Sequence, residues 1–556
     1  MNDDRRLMLA VALSLAIYLG WSFFLMKTHP PKPPPPRAAV AESTARPAET
    51  PVPPSPSVVS KEKEQTPSRP EQLVSLDTAE IHLVFSTRGA TLVHAVLLKP
   101  QYRRRVGGRD EPVDLVRGDE TGRALLAEYQ GASWADDPLG DYEAKQEPRA
   151  VVFERRSAGV VLTRRYEVVA PYLLSMTASV SGGSARSLEI GFGSSQPPGA
   201  SAPSGGLFGR LARSYPNVAT AICRVDGKNE SSASNKDAEV TLPAPPKLGM
   251  VEFGGVDERF FVGAMAPQDD RTGSCRVKST AGGAVAATID LPLGAAPSPS
   301  RTFAVFLGPK DLDLLQRASV LPGSKVDSEL SSTVGFGFWT ALCVPMLRVM
   351  ELFHRALPNW GISILLLTLM IRLLLFPLQQ AQYRSMEKMR VLQPKLNELK
   401  KKFGEDKERL NLETMKLYTE NKVNPLGGCV PMLVQMPIWF ALYRLLGTTI
   451  QLYREPFIPG WIGDLTSPDS YYVLPILMGA TMVGTQLLSP QMPDSGQQRL
   501  MMWMMPVVMT VFFLNLPSGL NLYIVASNLL NIAQQYFVRR RTRSAPPSDR
   551  ITKAGA

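Results

Sequence analysis

The chain of 556 residues carries 61 Lys and Arg against 50 Asp and Glu, a formal charge of +11, with 44% hydrophobic residues. The basic residues are interrupted by long apolar runs, which favours an anionic membrane surface over a nucleic-acid substrate. Four Cys without CxxC spacing and only four His argue against a zinc ribbon or thioredoxin-type site. No GxxxxGK[ST] loop and no GxSxG elbow occurs, so nucleotide hydrolysis and serine acyl transfer lack support. Neither a metal, a cofactor nor enzymatic catalysis is expected.

The average hides a mosaic, because 14 of the 22 Met fall between Asn359 and Arg540 and 13 of the 48 Pro between Pro30 and Pro70. Residues 1–27 hold an apolar run, Leu7 to Met26, long enough as a helix to cross a hydrocarbon core of ~30 Å. Arg5 and Arg6 precede it and put the N-terminus in the cytoplasm. Lys27-Thr28-His29-Pro30 follows instead of small residues, which favours an uncleaved anchor over a signal peptide. Residues 28–70, with Pro33 to Pro36 consecutive, bury too little to fold and read as a semi-stiff linker.

From 71 to 325 the pattern becomes short alternating runs. Strands are expected at Ile81–Phe85, Val151–Arg155, Val160–Leu162, Tyr166–Val169, Leu188–Phe192 and Thr302–Phe306, separated by Gly, Ser and Pro. This predicts an all-β domain, a sandwich, on the far side of the membrane from the N-terminus. Cys223 and Cys275 lie inside it and can pair there, although spacing does not decide whether they do.

Residues 335–358 are apolar but broken by Pro345, Arg348 and Glu351, which suits an amphipathic helix at the interface. The region 359–540 then reads as five spans: Trp360–Leu378, Cys429–Ile450, Tyr471–Leu488, Leu500–Leu516 and Gly519–Val538. With the anchor these make six, so both termini fall on one side. The loops agree: residues 379–428 hold 11 Lys or Arg, whereas Gln451–Ser470 holds only Arg454. The tail, 541–556, is basic and expected in the cytoplasm. Between the first two of these spans, a cytoplasmic helical hairpin is expected over 380–422. Its seam is Met389, Leu392, Leu396, Leu399 and Phe403, kinked at Pro394, with Gly404 and Asp406 at the turn.

Arg372 is the position with the most chemistry, a cation inside an apolar run where insertion costs roughly 2.5–3.5 kcal/mol. Thr368 shares its helical face one turn away. Amides and hydroxyls recur in other spans, at Gln435, Gln486, Asn521, Ser527, Asn528 and Asn531, and no acidic residue does. An unpaired cation beside amides points to a hydrated groove open to the cytoplasm. Flexible Met side chains in the third to fifth spans suit a surface that accepts varied apolar partners.

These residues resemble the Oxa/YidC/Alb family of membrane insertases. The likeness lies in Arg372 with Phe376-Pro377-Leu378, Gln382-Tyr383-Arg384-Ser385-Met386, and Asn424-Pro425-Leu426-Gly427-Gly428-Cys429. Gln435-Met436-Pro437, Leu474-Pro475-Ile476-Leu477-Met478-Gly479 and Pro517-Ser518-Gly519-Leu520 extend it. The resemblance implies a multidomain protein of the bacterial inner membrane: a polytopic helical bundle of six spans, five of them a core with a polar groove, plus a large periplasmic β-supersandwich. It implies insertion and chaperoning of nascent membrane proteins, alone or with the Sec translocon. The hairpin and tail would face a ribosome or targeting receptor, or membrane lipid. Arg372, Thr368, Gln435 and Tyr523 would line the substrate groove, and Leu433, Met436, Ile438, Met505 and Val508 a hydrophobic slide. Tyr523-Ile524 departs from a family Tyr pair, and Arg444 and Asn515 are unusually polar for their places. The competing reading is a small-solute transporter, although neither inverted repeats nor discontinuous helices stand out.

Overall fold

The computed structural model describes residues 70–543 apart from 107–108, 117–122, 135, 158, 196–218, 234–237, 245–246, 281–283, 295–297, 323–325, 405, 422, 424–429 and 489–495. The expected anchor, the linker short of its last residue, and the tail beyond Arg543 lie outside the described residues.

Seventeen strands form two antiparallel ladders. The first runs Leu73–Asp77, Ile81–Ser86, Thr91–Leu97, Ala124–Gln130, Ser187–Ser195, Ala284–Pro292, Thr272–Ser279, Ala238–Leu242. The second runs Glu143–Glu147, Ala150–Ser157, Val160–Ala170, Leu173–Ser181, Ser300–Pro309, Phe261–Pro267, Gly249–Asp257, Thr220–Val225, Lys228–Ala233. The two are joined at one corner, where Gly249 pairs with Gly273. Period-2 alternation explains the stacking: along Val160–Ala170, buried Val160, Leu162, Arg164 and Tyr166 alternate with half-buried neighbours. Phe85, Phe153, Phe192, Phe303 and Phe306 are fully buried between the ladders. The buried Arg164 donates to the carbonyls of Gly89 and Ala127 and sits 5.0 Å from the Tyr142 ring centroid. Cys223 and Cys275 form a disulfide that ties one ladder to the other, with Cα atoms 6.0 Å apart.

Nine helices follow among the described residues: α1 (Leu312–Ala318), α2 (Thr340–Ala356), α3 (Trp360–Leu374), α4 (Phe376–Phe403), α5 (Lys407–Glu420), α6 (Val430–Thr448), α7 (Val473–Leu488), α8 (Gly496–Phe513) and α9 (Ser518–Arg543). Asp311 caps α1, Asn359 caps α3 and Asp406 caps α5, each accepting a backbone N–H of the first turn. α9 packs on α3 and α7, α7 on α8, and α2 on α3 and α6. On α2, Cys343, Leu347 and Met350 are buried at spacings of four and three, while Arg348 turns outward to Asp313 of α1 and to Glu351.

One expected element is corrected. The span placed over Trp360–Leu378 is not one helix: α3 ends at Leu374, and the chain bends by 62° before α4. Pro377 lies in the first turn of α4, where its missing N–H costs nothing, and it cannot continue the ladder of α3. Among the described residues no single helix is long and apolar enough to cross a membrane. The bent pair Trp360–Leu374 with Phe376–Tyr383 passes that test, and Val473–Leu487 and Met504–Phe513 are shorter apolar helices.

The sandwich is fastened to the helices at the loop after α6. Arg259 donates from Nε to the Gly447 carbonyl at 2.8 Å and from its terminal nitrogen to the Thr466 carbonyl at 3.2 Å. Gly447 is in the last turn of α6, whose carbonyls lack helical partners. Arg454 forks onto Asp110 at 3.1 and 2.8 Å, and Tyr453 Oη donates to the Arg103 carbonyl at 2.7 Å. The Tyr453 ring packs between Phe260 and Phe261, with centroids 4.8 and 5.3 Å away.

Candidate functional site

Arg372 lies in the last turn of α3 and reaches across to α9, where its Nε donates to Ser527 Oγ at 3.1 Å and a terminal nitrogen donates to the same oxygen. Among the described residues no ion pair involves it. Tyr523, one turn before Ser527 on α9, is buried and accepts a hydrogen bond from Gln435 Nε2 of α6 at 3.1 Å. Arg372, Tyr523 and Gln435 are thereby brought together, joining three helices through polar side chains.

Thr368 is treated differently. It is buried beneath Arg372, but its hydroxyl donates to the Ile364 carbonyl of its own helix at 2.7 Å. Its hydroxyl proton is thus spent on its own backbone. The polar seam continues along α9, where Asn528 donates to Thr481 Oγ1 of α7 at 3.1 Å. Toward the end of α9, Gln535 is buried beside Tyr383 of α4, and Gln379 of α4 is buried as well. Gln379, Tyr383, Gln535 and Thr481 were not singled out in the sequence as site residues. A Gln-Gln pair at the start of a charged helix reads as ordinary surface until the fold turns one of them inward.

The expected slide residues fall on α6 and α8. Met436, Met505 and Val508 are exposed at 42%, 48% and 37%, and Ile438 is half-buried. The side chain of Leu433 lies outside the described residues. Val434, Phe440, Met504, Val507 and Val511 are exposed on the same two helices, so both carry an apolar outer face. In the hairpin, Leu392 and Leu396 are buried while Met389, Leu399 and Phe403 are half-buried. Arg409 of α5 comes back across the turn to 5.1 Å from the Phe403 ring. No group of three or more His, Cys, Asp or Glu able to hold a metal occurs among the described residues.

A helical core with a cation seated among hydroxyls and amides, carrying a large β sandwich before it, defines a class of membrane protein. The family models agree on both halves: the "60Kd inner membrane protein" family matches residues 352–545, and the "YidC periplasmic domain" family matches 73–349. A protein of Anaeromyxobacter dehalogenans (strain 2CP-C) named membrane protein insertase YidC is 36% identical over 98% of both chains. One of the same name from Syntrophus aciditrophicus is 32% identical over 97% of this chain and all of its own. A crystal structure of an active YidC insertase with its first transmembrane domain resolved aligns at 18% identity and a TM-score of 0.35, over 84% of this chain and 93% of its own. The chain belongs to the YidC family of membrane protein insertases. The sandwich is its periplasmic domain, the inner membrane is its place, and a small-solute transporter is not favoured.

Proposed function

We propose that this chain inserts nascent membrane proteins through a groove whose floor is Arg372, Tyr523 and Gln435, without covalent chemistry. The observation that carries the reading is the seat of Arg372: a guanidinium with five N–H donors, held by the Ser527 hydroxyl, on a helix with no other charged side chain. Moving a polar tail through hydrocarbon is costly because its backbone and charges lose water. A wet cationic recess shortens the dry path and attracts acidic side chains. The substrate's apolar helix then leaves over Met436, Met505 and Val508 into lipid, driven by burial of its own surface. Six spans with both termini in the cytoplasm fit this reading, as the Lys and Arg of 379–428 suggest. The hairpin, with its seam at Leu396 and Phe403, and the basic tail would then meet a ribosome, a targeting receptor or anionic lipid, and the Sec translocon would share larger substrates.

The test uses the purified full chain in liposomes and protease protection of a small membrane protein with an acidic N-terminal tail. Arg372→Lys keeps the charge and is expected to retain most insertion. Arg372→Ala should lose at least tenfold, and Arg372→Glu more. Equal protection for all four proteins would remove Arg372 from the mechanism.

A further inference from the structure

A cavity of about 440 Å³ opens at the junction between the sandwich and the loop after α6, within the range of about 300–1,000 Å³ typical of small-molecule sites. Its wall carries four guanidiniums, those of Arg103, Arg104, Arg259 and Arg454, and two carboxylates, Asp464 and Asp469. It lies on the periplasmic side, because Arg103, Arg104, Arg259 and Phe260 of the periplasmic domain form one wall of it, and it is separate from the groove around Arg372.

The cations and anions of the wall are used differently. Asp464 already accepts from the backbone N–H groups of Arg454 and Thr466 and from the hydroxyls of Thr466 and Ser467. Asp469 accepts from Trp461 Nε1 and from the backbone of Tyr471 and Leu474. Both acceptors are occupied in holding the loop. A guanidinium has five donors. Arg104 directs one fork at Glu258, and Arg103 donates from one terminal nitrogen to the Asp110 carbonyl, so each has N–H groups beyond those bonds. Ser518, the first residue of α9, brings the positive end of that helix's dipole to the same wall. A recess with donors to spare and its acceptors occupied selects an acceptor-only, tetrahedral anion, which arginine forks match in geometry. Trp461 in the wall and the exposed Tyr471 and Tyr472 next to it are the aromatic residues that settle at headgroup level.

We propose that this cavity binds a phosphate group at the outer membrane surface, carried by an anionic phospholipid headgroup or as free phosphate. The occupant takes N–H groups that Arg103 and Arg104 keep beyond their own bonds, beside Arg454, which already forks onto Asp110, and so couples lipid or phosphate outside to the seating of the periplasmic domain on the insertase core.

The experiment titrates the full chain, in a neutral maltoside detergent, with short-chain phosphatidylglycerol below its micelle concentration, with inorganic phosphate, and with the matching diacylglycerol. Calorimetry reads the affinity. Wild type is compared with Arg103→Gln, Arg259→Gln and Gly463→Leu. Gly463 lines the cavity at a place where an added Cβ meets nothing within 4 Å, so leucine fills space while keeping every charge. Saturable phosphatidylglycerol binding, weakened at least tenfold in the three variants and absent with diacylglycerol, supports the proposal with a lipid as the source. Equal binding of inorganic phosphate with the same losses supports it with free phosphate as the source. No saturable binding of either, or binding unchanged in Gly463→Leu and Arg103→Gln, overturns it. Hydrogen exchange of residues 450–470 verifies that each variant keeps the junction folded.

Discussion

Reducing the Cys223–Cys275 bridge perturbs the sandwich without changing its packing, because both cysteines stay in place and both are fully buried. The bridge joins residues 52 apart in sequence, and in the chain-entropy treatment such a loop removes about 14 cal/mol/K from the open state. At 25 °C that is about 4 kcal/mol, and measured bridges deliver about 2–4. Since about 1.4 kcal/mol is a factor of ten, amides exposed only when the two ladders separate should exchange roughly 30- to 1,000-fold faster after reduction. The assay is hydrogen exchange of the full chain in detergent, before and after phosphine reduction, read in Thr220–Val225 and Thr272–Ser279. Cys343 is a buried free thiol and is not altered by the reagent. The double substitution Cys223→Ala with Cys275→Ala should lose at least as much, since it adds a cavity between the sheets. Acceleration below about threefold on reduction would refute the claim that the bridge constrains the open domain.

Lys310→Met leaves the half-buried Asp257 without the Lys310 Nζ that now sits 2.7 Å away, which should cost about 1–3 kcal/mol near neutral pH. Burial already holds the Asp257 carboxyl above its ordinary range, against the pull of Lys310. Its raised folded pKa contributes stability at low pH that is lost as pH rises. Loss of the Lys310 charge raises that pKa further, so the variant should regain melting temperature relative to wild type between pH 7 and pH 5; no relative recovery would contradict the assignment. Asp313 runs the other way, because the Arg348 hydrogen bond holds its carboxyl below the usual range. Its contact between α1 and α2 should persist from pH 7 to 5 and fail only below the unfolded value of about 3.9, seen as faster exchange of α2 in acid. Gly479→Ala places a methyl on Thr510 Oγ1 where α7 crosses α8, and should destabilise the core by about 1–3 kcal/mol. Thr510→Ala in the same chain should restore most of that loss in a thermal melt.

The sandwich was legible because burial on one face of a strand writes itself as alternation, as in Val160–Ala170, and each such signal is local. The polar residues around Arg372 were legible one at a time for a similar reason: Arg372 and Gln435 stand out against apolar neighbours, whereas Tyr523 entered only through the family resemblance. Their pairing was not, since Ser527 is 155 residues from Arg372 and Gln435 is 88 from Tyr523. The bend before α4 had a visible cause in Pro377, but a hydropathy window averages across it and reads one span. The junction left the least trace. Arg259 sits in Asp257-Glu258-Arg259-Phe260-Phe261, which reads as a charged strand flank, and its acceptors are 188 and 207 residues further on.

That order along the chain has a consequence for how the protein is made. A ribosome releases Arg259, Phe260 and the ladders around them well before Gly447 and Thr466 leave its tunnel, and domains generally fold as they emerge. The receptor for the end of α6 is therefore complete before α6 exists. When that helix arrives, its last-turn Gly447 carbonyl meets a guanidinium already in position, and Tyr453 meets two phenylalanine rings already packed. The order of the chain would let the periplasmic domain serve during synthesis as a mould for the end of α6 that it meets. A chain rearranged so that the helices are translated first would have to hold that end open to water until its cap arrived.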